Sequence, residues 1–172
     1  DFLDAEGIQQ YQSLIGSLQW TVTLGRYDIQ CAVMTMSGFR AAPRIGHLER
    51  LKRICGYLMN TSDYKLRFRT HQPDYTDIPT KDQEWYQLYG NVSELLPSDA
   101  PEPLGKFVTL THYVDANLMH DITTGCPITA CLHFVNATPI EWYSKKQATV
   151  ETAIYSSEFV VARIYVEQII DL

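Results

Sequence analysis

From Ile8 to about Thr61 the apolar positions recur at helical spacing. Tyr11, Leu14, Ile15 and Leu18 mark a first helix. Ile29, Val33 and Met36 mark a second, with Asp28 as its expected N-terminal cap after Gly25. Leu48, Leu51, Ile54, Cys55 and Leu58 mark a third, following Pro43 and Gly46. The pattern fades between His71 and Leu104, where Pro73, Pro79, Pro97, Pro101 and Pro103 interrupt an acidic stretch. Within it Trp85, Tyr86, Leu88 and Tyr89 are expected to pack locally. From Lys106 the period becomes two. Val108, Leu110 and Val114 share one face of a first strand, and Ile128, Ala130, Leu132 and Phe134 alternate in a second. Asn136-Ala137-Thr138-Pro139 reads as a turn and Ile140–Tyr143 as a short third strand. A helix is predicted from about Val150 to Asp171, with Phe159, Ala162, Val166, Ile169 and Ile170 as its apolar stripe. The sum is an α+β chain: a helical region over 1–70, an acidic linker over 71–105, and a three-stranded antiparallel meander with one helix over 106–172.

Composition adds little to this until charge is divided along the chain. The 172 residues are 45% hydrophobic and 20% charged, ordinary for a globular protein. No apolar run reaches the roughly 20 residues that span a bilayer, so no membrane partner is expected. The acidic start, Asp1-Phe2-Leu3-Asp4, does not read as a signal peptide, and the missing initiator Met suggests a fragment or processed product. The net charge is −6, and residues 74–102 account for all of it. Residues 40–69 carry a local +6 through Arg40, Arg44, Arg50, Lys52, Arg53, Lys65, Arg67 and Arg69 against Glu49 and Asp63. Arg50 and Arg53, three apart, share a helix face away from the leucines. Such a stretch suits either a solvated face or a phosphate backbone. The four cysteines have no zinc-like spacing and read as reduced, mostly buried thiols of an intracellular protein.

Two carboxylates are placed where chemistry is conceivable. Asp115 ends the first strand and Glu158 lies early in the last helix. A helix crossing a small sheet can bring such a pair together, and convergent carboxylates suit Mg²⁺. By spacing alone, solvated surface is the commoner outcome. His112, His120 and His133 show no triad partner, and no Ser or Cys is placed as an activated nucleophile. Asp121 reads as a turn residue and Glu141 as an exposed strand position.

Several motifs carry a family resemblance. Tyr11-Gln12-Ser13-Leu14-Ile15-Gly16-Ser17-Leu18, Tyr27-Asp28-Ile29 with Ala32-Val33, and His47 to Ile54 with Tyr57-Leu58 and Thr61 resemble the segment after the polymerase palm of copia-type reverse transcriptases. Tyr113-Val114-Asp115-Ala116-Asn117, Thr124-Gly125, Trp142 with Ser144-Lys145-Lys146-Gln147 and Thr149-Val150, and Ser157-Glu158-Phe159-Val160 with Ala162 resemble the front half of the family's ribonuclease H domain. The matches run in family order and skip only the acidic linker.

The resemblance implies a piece of a retrotransposon Pol polyprotein: a reverse transcriptase connection region followed by a truncated ribonuclease H-like domain. It implies that Arg44, Arg50, Lys52 and Arg53 face the phosphates of a primer–template or RNA–DNA hybrid, with Lys145 and Lys146 as further nucleic-acid contacts or a solvated turn. It implies Asp115 and Glu158 as Mg²⁺ ligands for hydrolysis of the RNA strand of the hybrid, recognised by minor-groove shape and 2′-hydroxyls. The other partner would be the rest of the polyprotein, within a cytoplasmic virus-like particle or the nucleus. The sequence departs from the family at Asn117, Leu118 and Ser156. The ribonuclease H fold needs a further strand bearing another Asp and at least one more acidic or His position, and residue 172 comes too early for either, so this fragment is expected to be inactive alone. The alternative is a degenerate or non-catalytic module that binds nucleic acid weakly or another protein.

Overall fold

Asp4 opens the first helix of the computed structural model, which describes residues 1–79, 84–91, 97–102, 104–118 and 124–170. Its carboxylate accepts the Gly7 backbone N–H at 2.8 Å and caps α1, Ala5–Thr23. Tyr11, Ile15, Leu18 and Val22 form its buried stripe. A 3-10 turn, Tyr27–Ile29, leads into α2, Gln30–Ser37, and α3 spans Ile45–Asn60. The stripe of α1 meets Ile29, Val33 and Met36 on one side and Leu48 and Leu51 on the other, as the helical spacing predicts. Burying each large side chain stabilises this cluster by roughly 1.5–3 kcal/mol. The Tyr11 hydroxyl donates to the Met36 carbonyl at 2.7 Å, satisfying a polar atom inside the core.

The expected cap at Asp28 is not formed. Asp28 lies within the 3-10 turn, and α2 has no side-chain cap. Its carboxylate instead accepts from Nε and Nη2 along one edge of the Arg26 guanidinium, at 3.0 and 2.9 Å. Arg26 also donates to the carbonyl and hydroxyl of Thr61 and lies over the rings of Tyr57 and Tyr64. A bidentate arginine competes better for this carboxylate than an exposed backbone N–H does.

The sheet is antiparallel with order β1-β2-β3: β1 Leu110–Asn117, β2 Ile128–Val135, β3 Thr138–Lys146. β2 and β3 join through Asn136-Ala137, with Asn136 at φ +53°, a conformation Asn tolerates and two-residue hairpins require. This loop is shorter, and β3 longer, than the sequence pattern suggested. Val108 precedes β1 rather than lying in it.

α5, Ile154–Ile170, packs against β1 and the adjoining part of β2. It starts later than Val150, and Asp171 falls outside the described residues. The stripe predicted for it is not the packed face. Ser157 and Val161 are buried, with Ile164, Tyr165 and Gln168 partly so; of the predicted stripe Ile169 is partly buried, while Phe159, Ala162, Val166 and Ile170 are exposed. The helix is apolar on several sides, so periodicity does not choose among them. The sheet does, by offering polar partners: Gln147 Nε2 donates to the Ser157 carbonyl at 3.2 Å, and His133 Nε2 pairs with Gln168 Oε1 at 3.2 Å.

The chain that follows α3, from the end of the helical region into the linker, is partly bound to the sheet. The Arg69 N–H donates to the Thr138 hydroxyl, Asn136 Nδ2 donates to the Thr70 carbonyl, and the Tyr75 hydroxyl meets that of Thr111. Further on, in α4 (Trp85–Tyr89), Tyr86, Leu88 and Tyr89 are largely exposed. Trp142 joins the two halves of the molecule: its indole N–H donates to the Val22 carbonyl at the end of α1 at 3.0 Å, and its ring meets Tyr27 at 5.4 Å between centroids. That carbonyl also accepts the Gly25 backbone N–H at 3.0 Å, so the indole adds a second donor at the end of the helix. No helix among the described residues is long and apolar enough to cross a membrane.

Candidate nucleic-acid interface and the cleft at Asp115

The basic residues of the third helix come to the surface because its leucines face inward. Leu48 and Leu51 are buried, which turns Arg50, Lys52 and Arg53 to solvent. None of the three enters an ion pair among the described residues. Arg44, at the N-cap of α3, is exposed and stacks over Phe2 at 4.8 Å. Lys145 and Lys146 are exposed at the end of β3.

A second exposed surface lies on α1, in the motif that carried the family resemblance, and it was not singled out from sequence. Ser13, Gly16, Ser17 and Trp20 are exposed at helical spacing, and Trp20 is 65% exposed. A Cβ at Gly16 would meet nothing within 4 Å. Glycine here costs roughly 1 kcal/mol of helix stability relative to alanine, with no packing in this fold to explain it. The signal that could have found this surface is an aromatic following three small residues on the polar side of an amphipathic helix.

Asp115 and Glu158 are not brought together. In the strand register Asp115 stands opposite Ala130, which stands opposite Ser144. Side chains alternate across a sheet, so Tyr113, Asp115 and Asn117 share one face while His112, Val114 and Ala116 share the other. α5 covers the second face, where His112 contacts Tyr165. Glu158 is an exposed residue of that helix. The two carboxylates therefore lie on opposite sides of the sheet, and no hydrogen bond or ion pair joins them among the described residues. Among the same residues no group of three His, Cys, Asp or Glu side chains could hold a metal ion.

Asp115 instead borders an open cleft of about 340 Å³. Two rows of side chains on the sheet make its floor. One is Tyr113, Leu132 and Trp142; the next is Asp115, Ala130 and Ser144. Tyr27, Gln30 and Cys31, from the 3-10 turn and the start of α2, form the facing wall. Asn117 and Ile128 close one end.

On the α5 side, His112 and His133 form a pair, Nδ1 to Nδ1 at 2.6 Å, with His133 fully buried. One Nδ1 carries the proton and the other accepts it. Burial, then the neighbouring His133, lowers the pKa of His112. Tyr165 lies against both rings. Spacing alone hid this pair, because 21 residues separate its members and only the register aligns them.

Cys126 and Cys131 are buried and Cys55 half-buried, and only Cys31 of the four departs from the expectation of mostly buried thiols by being exposed. All four are free. Asp121 and His120 lie outside the described residues.

No family model matches the chain, and no solved structure does. A putative transposon Ty5-1 protein of Saccharomyces cerevisiae is 32% identical over 103 residues, 60% of this chain. The match spans only 30% of that protein's length. A secreted RxLR effector protein of Plasmopara viticola is 25% identical over 149 residues, covering 87% of this chain and 81% of the effector. The similarity to the Ty5-1 protein supports a retrotransposon origin for this chain.

Proposed function

We propose that this chain is a nucleic-acid-binding piece of a copia-type reverse transcriptase–ribonuclease H, and that it holds an RNA–DNA hybrid or primer–template without cleaving it. The observation that carries the reading is the exposed set Arg50, Lys52 and Arg53 on α3, none of them in an ion pair among the described residues, with Arg44 at its start. The flat, small-residue face of α1 ending in Trp20 suits close approach to a duplex groove read by shape. Lys145 and Lys146 would add phosphate contacts from the sheet.

Binding through phosphates releases counterions, so affinity should fall steeply with salt, by roughly 0.9 in log–log slope for each phosphate neutralised. Fluorescence anisotropy with a labelled hybrid measures this. Replacing Arg50, Lys52 and Arg53 by Gln should weaken binding and lower the slope by roughly 2–3. An unchanged slope in that variant would remove the proposed interface.

In the intact family domain, Mg²⁺ would supply an activated water and stabilise the leaving oxygen. The residues present do not fit such a centre: Asp115 and Glu158 stand on opposite faces of the sheet, and no third described ligand joins either. Hybrid incubated with this chain and Mg²⁺ should stay intact. Cleavage that disappears in Asp115→Asn would overturn that expectation.

A second reading is favoured by the effector match, which extends over most of both chains. It is a stand-alone, non-catalytic interaction module descended from the transposon sequence. Salt-insensitive or absent binding of nucleic acid would favour it.

A further inference from the structure

The cleft beside Asp115 has no part in the interface proposed above, yet it has the make-up of a ligand site. Its volume of about 340 Å³ falls within the roughly 300–1,000 Å³ typical of small-molecule pockets. Its walls are flat and apolar where a ring would lie. Tyr113 is half exposed on one side of the floor, and Leu132 and Trp142 continue the same row. Ala130 matters because it is small: it leaves a depression between Asp115 and Ser144, where a larger side chain would fill the floor. Tyr27 tilts over Trp142 at 40°, so this end narrows toward an aromatic corner.

The polar groups are few and of distinct kinds. Asp115 is exposed and lines the cleft, and a carboxylate only accepts hydrogen bonds, at two oxygens. Ser144 and Gln30 can each donate and accept. A planar ring that stacks in the aromatic row and presents two adjacent donors to the neighbouring carboxylate satisfies this arrangement. Among the common nucleobases only guanine does so, through N1–H and the N2 amine. Adenine and cytosine each offer one amino group beside a ring acceptor, which a carboxylate repels. Uracil offers one N–H between two carbonyls.

We propose that this cleft binds a guanine base, stacked along Tyr113, Leu132 and Trp142, with its Watson–Crick edge held by the carboxylate of Asp115. The base comes either from a free nucleotide or from an unpaired position in a single strand. The site goes beyond the hybrid-binding reading and does not depend on it, since it uses none of the α1 or α3 surfaces.

The test is titration of the whole chain with guanosine 5′-monophosphate, followed by calorimetry and by backbone amide shifts of the β1 and β2 residues. A uridine oligonucleotide carrying one guanosine serves as the second probe and separates the two sources. Saturable binding of either probe, with shifts centred on Ala130, supports the site. Adenosine and cytidine monophosphates should bind about tenfold more weakly or worse, because the bidentate contact is lost. Inosine monophosphate, which lacks the N2 amine, should fall between them and the guanine nucleotide. Asp115→Asn should lose the guanine preference with an unchanged melting temperature, because Asp115 is exposed. Ala130→Leu, which fills the floor and leaves the carboxylate in place, should abolish binding. Equal affinity for guanine and adenine nucleotides, or full binding by Asp115→Asn, overturns the proposal. So does failure of both guanine probes to bind.

Discussion

At His112 and His133, two imidazoles share one proton inside the contact between the sheet and α5. Protonating His112 there would put a positive charge into a part-buried contact against the ring of His133. Because His112 is held below its ordinary pKa in the fold, the unfolded chain takes up the proton first as pH falls. The stabilisation is therefore complete above about pH 6.5 and is lost as pH falls from there through the lowered folded value. Thermal melting between pH 8 and pH 5 should show this loss, and His112→Gln should flatten it. An equally steep profile in the variant would show that other groups cause it. The thiols make a second residue-scale contrast. Burial, with Glu141 nearby, pushes the Cys131 thiol up and keeps it protonated, whereas Cys31 faces solvent. Maleimide labelling of the native chain should reach Cys31 first and Cys131 slowly. Mass spectrometry of the digested product reads the order.

Within elements, the informative cases are helices with more than one plausible buried side. α3 is unambiguous because its leucines and its cations separate cleanly, and the fold uses the face its sequence predicts. α5 is ambiguous, and the fold uses Ser157, Val161 and Tyr165 instead of Phe159 and Val166. Val161→Ala should then destabilise the chain by roughly 1–2 kcal/mol, while Phe159→Ala should change stability by less than about 0.5 kcal/mol. Urea denaturation of the two variants decides between the faces. On α1, Gly16→Ala adds helix propensity in open space and should stabilise the protein by roughly 0.5–1 kcal/mol. If that face meets nucleic acid, the same substitution should weaken hybrid binding. A more stable variant with unchanged binding would remove α1 from the interface.

Across the whole molecule, the helical region meets the sheet at Trp142, which reaches Val22 and Tyr27, where α2 packs against β3, and through the bonds of Arg69 and Thr70 to Thr138 and Asn136. Trp142 is half-buried, so Trp142→Ala should cost less than the roughly 3–5 kcal/mol of a fully buried tryptophan. It should also separate the unfolding of the helices from that of the sheet. Calorimetry would show two transitions in place of one, and a single shifted transition would argue that other contacts carry the coupling. Sequence periodicity by itself determined the three N-terminal helices, the meander and the final helix, because spacing of 3.6 or 2 follows directly from backbone geometry. It also placed α3's cations outward, since a single apolar stripe leaves a helix one way to turn. Tertiary structure decided what depends on register and on partners distant in sequence: the bidentate Arg26–Asp28 pair locked to Thr61, the buried His112–His133 pair, and the packed side of α5. It also decided the setting of Asp115. A one-residue change of parity moves a strand side chain to the other face of the sheet, so only the pairing of β1 with β2 could put Asp115 in a cleft and Glu158 on the far side.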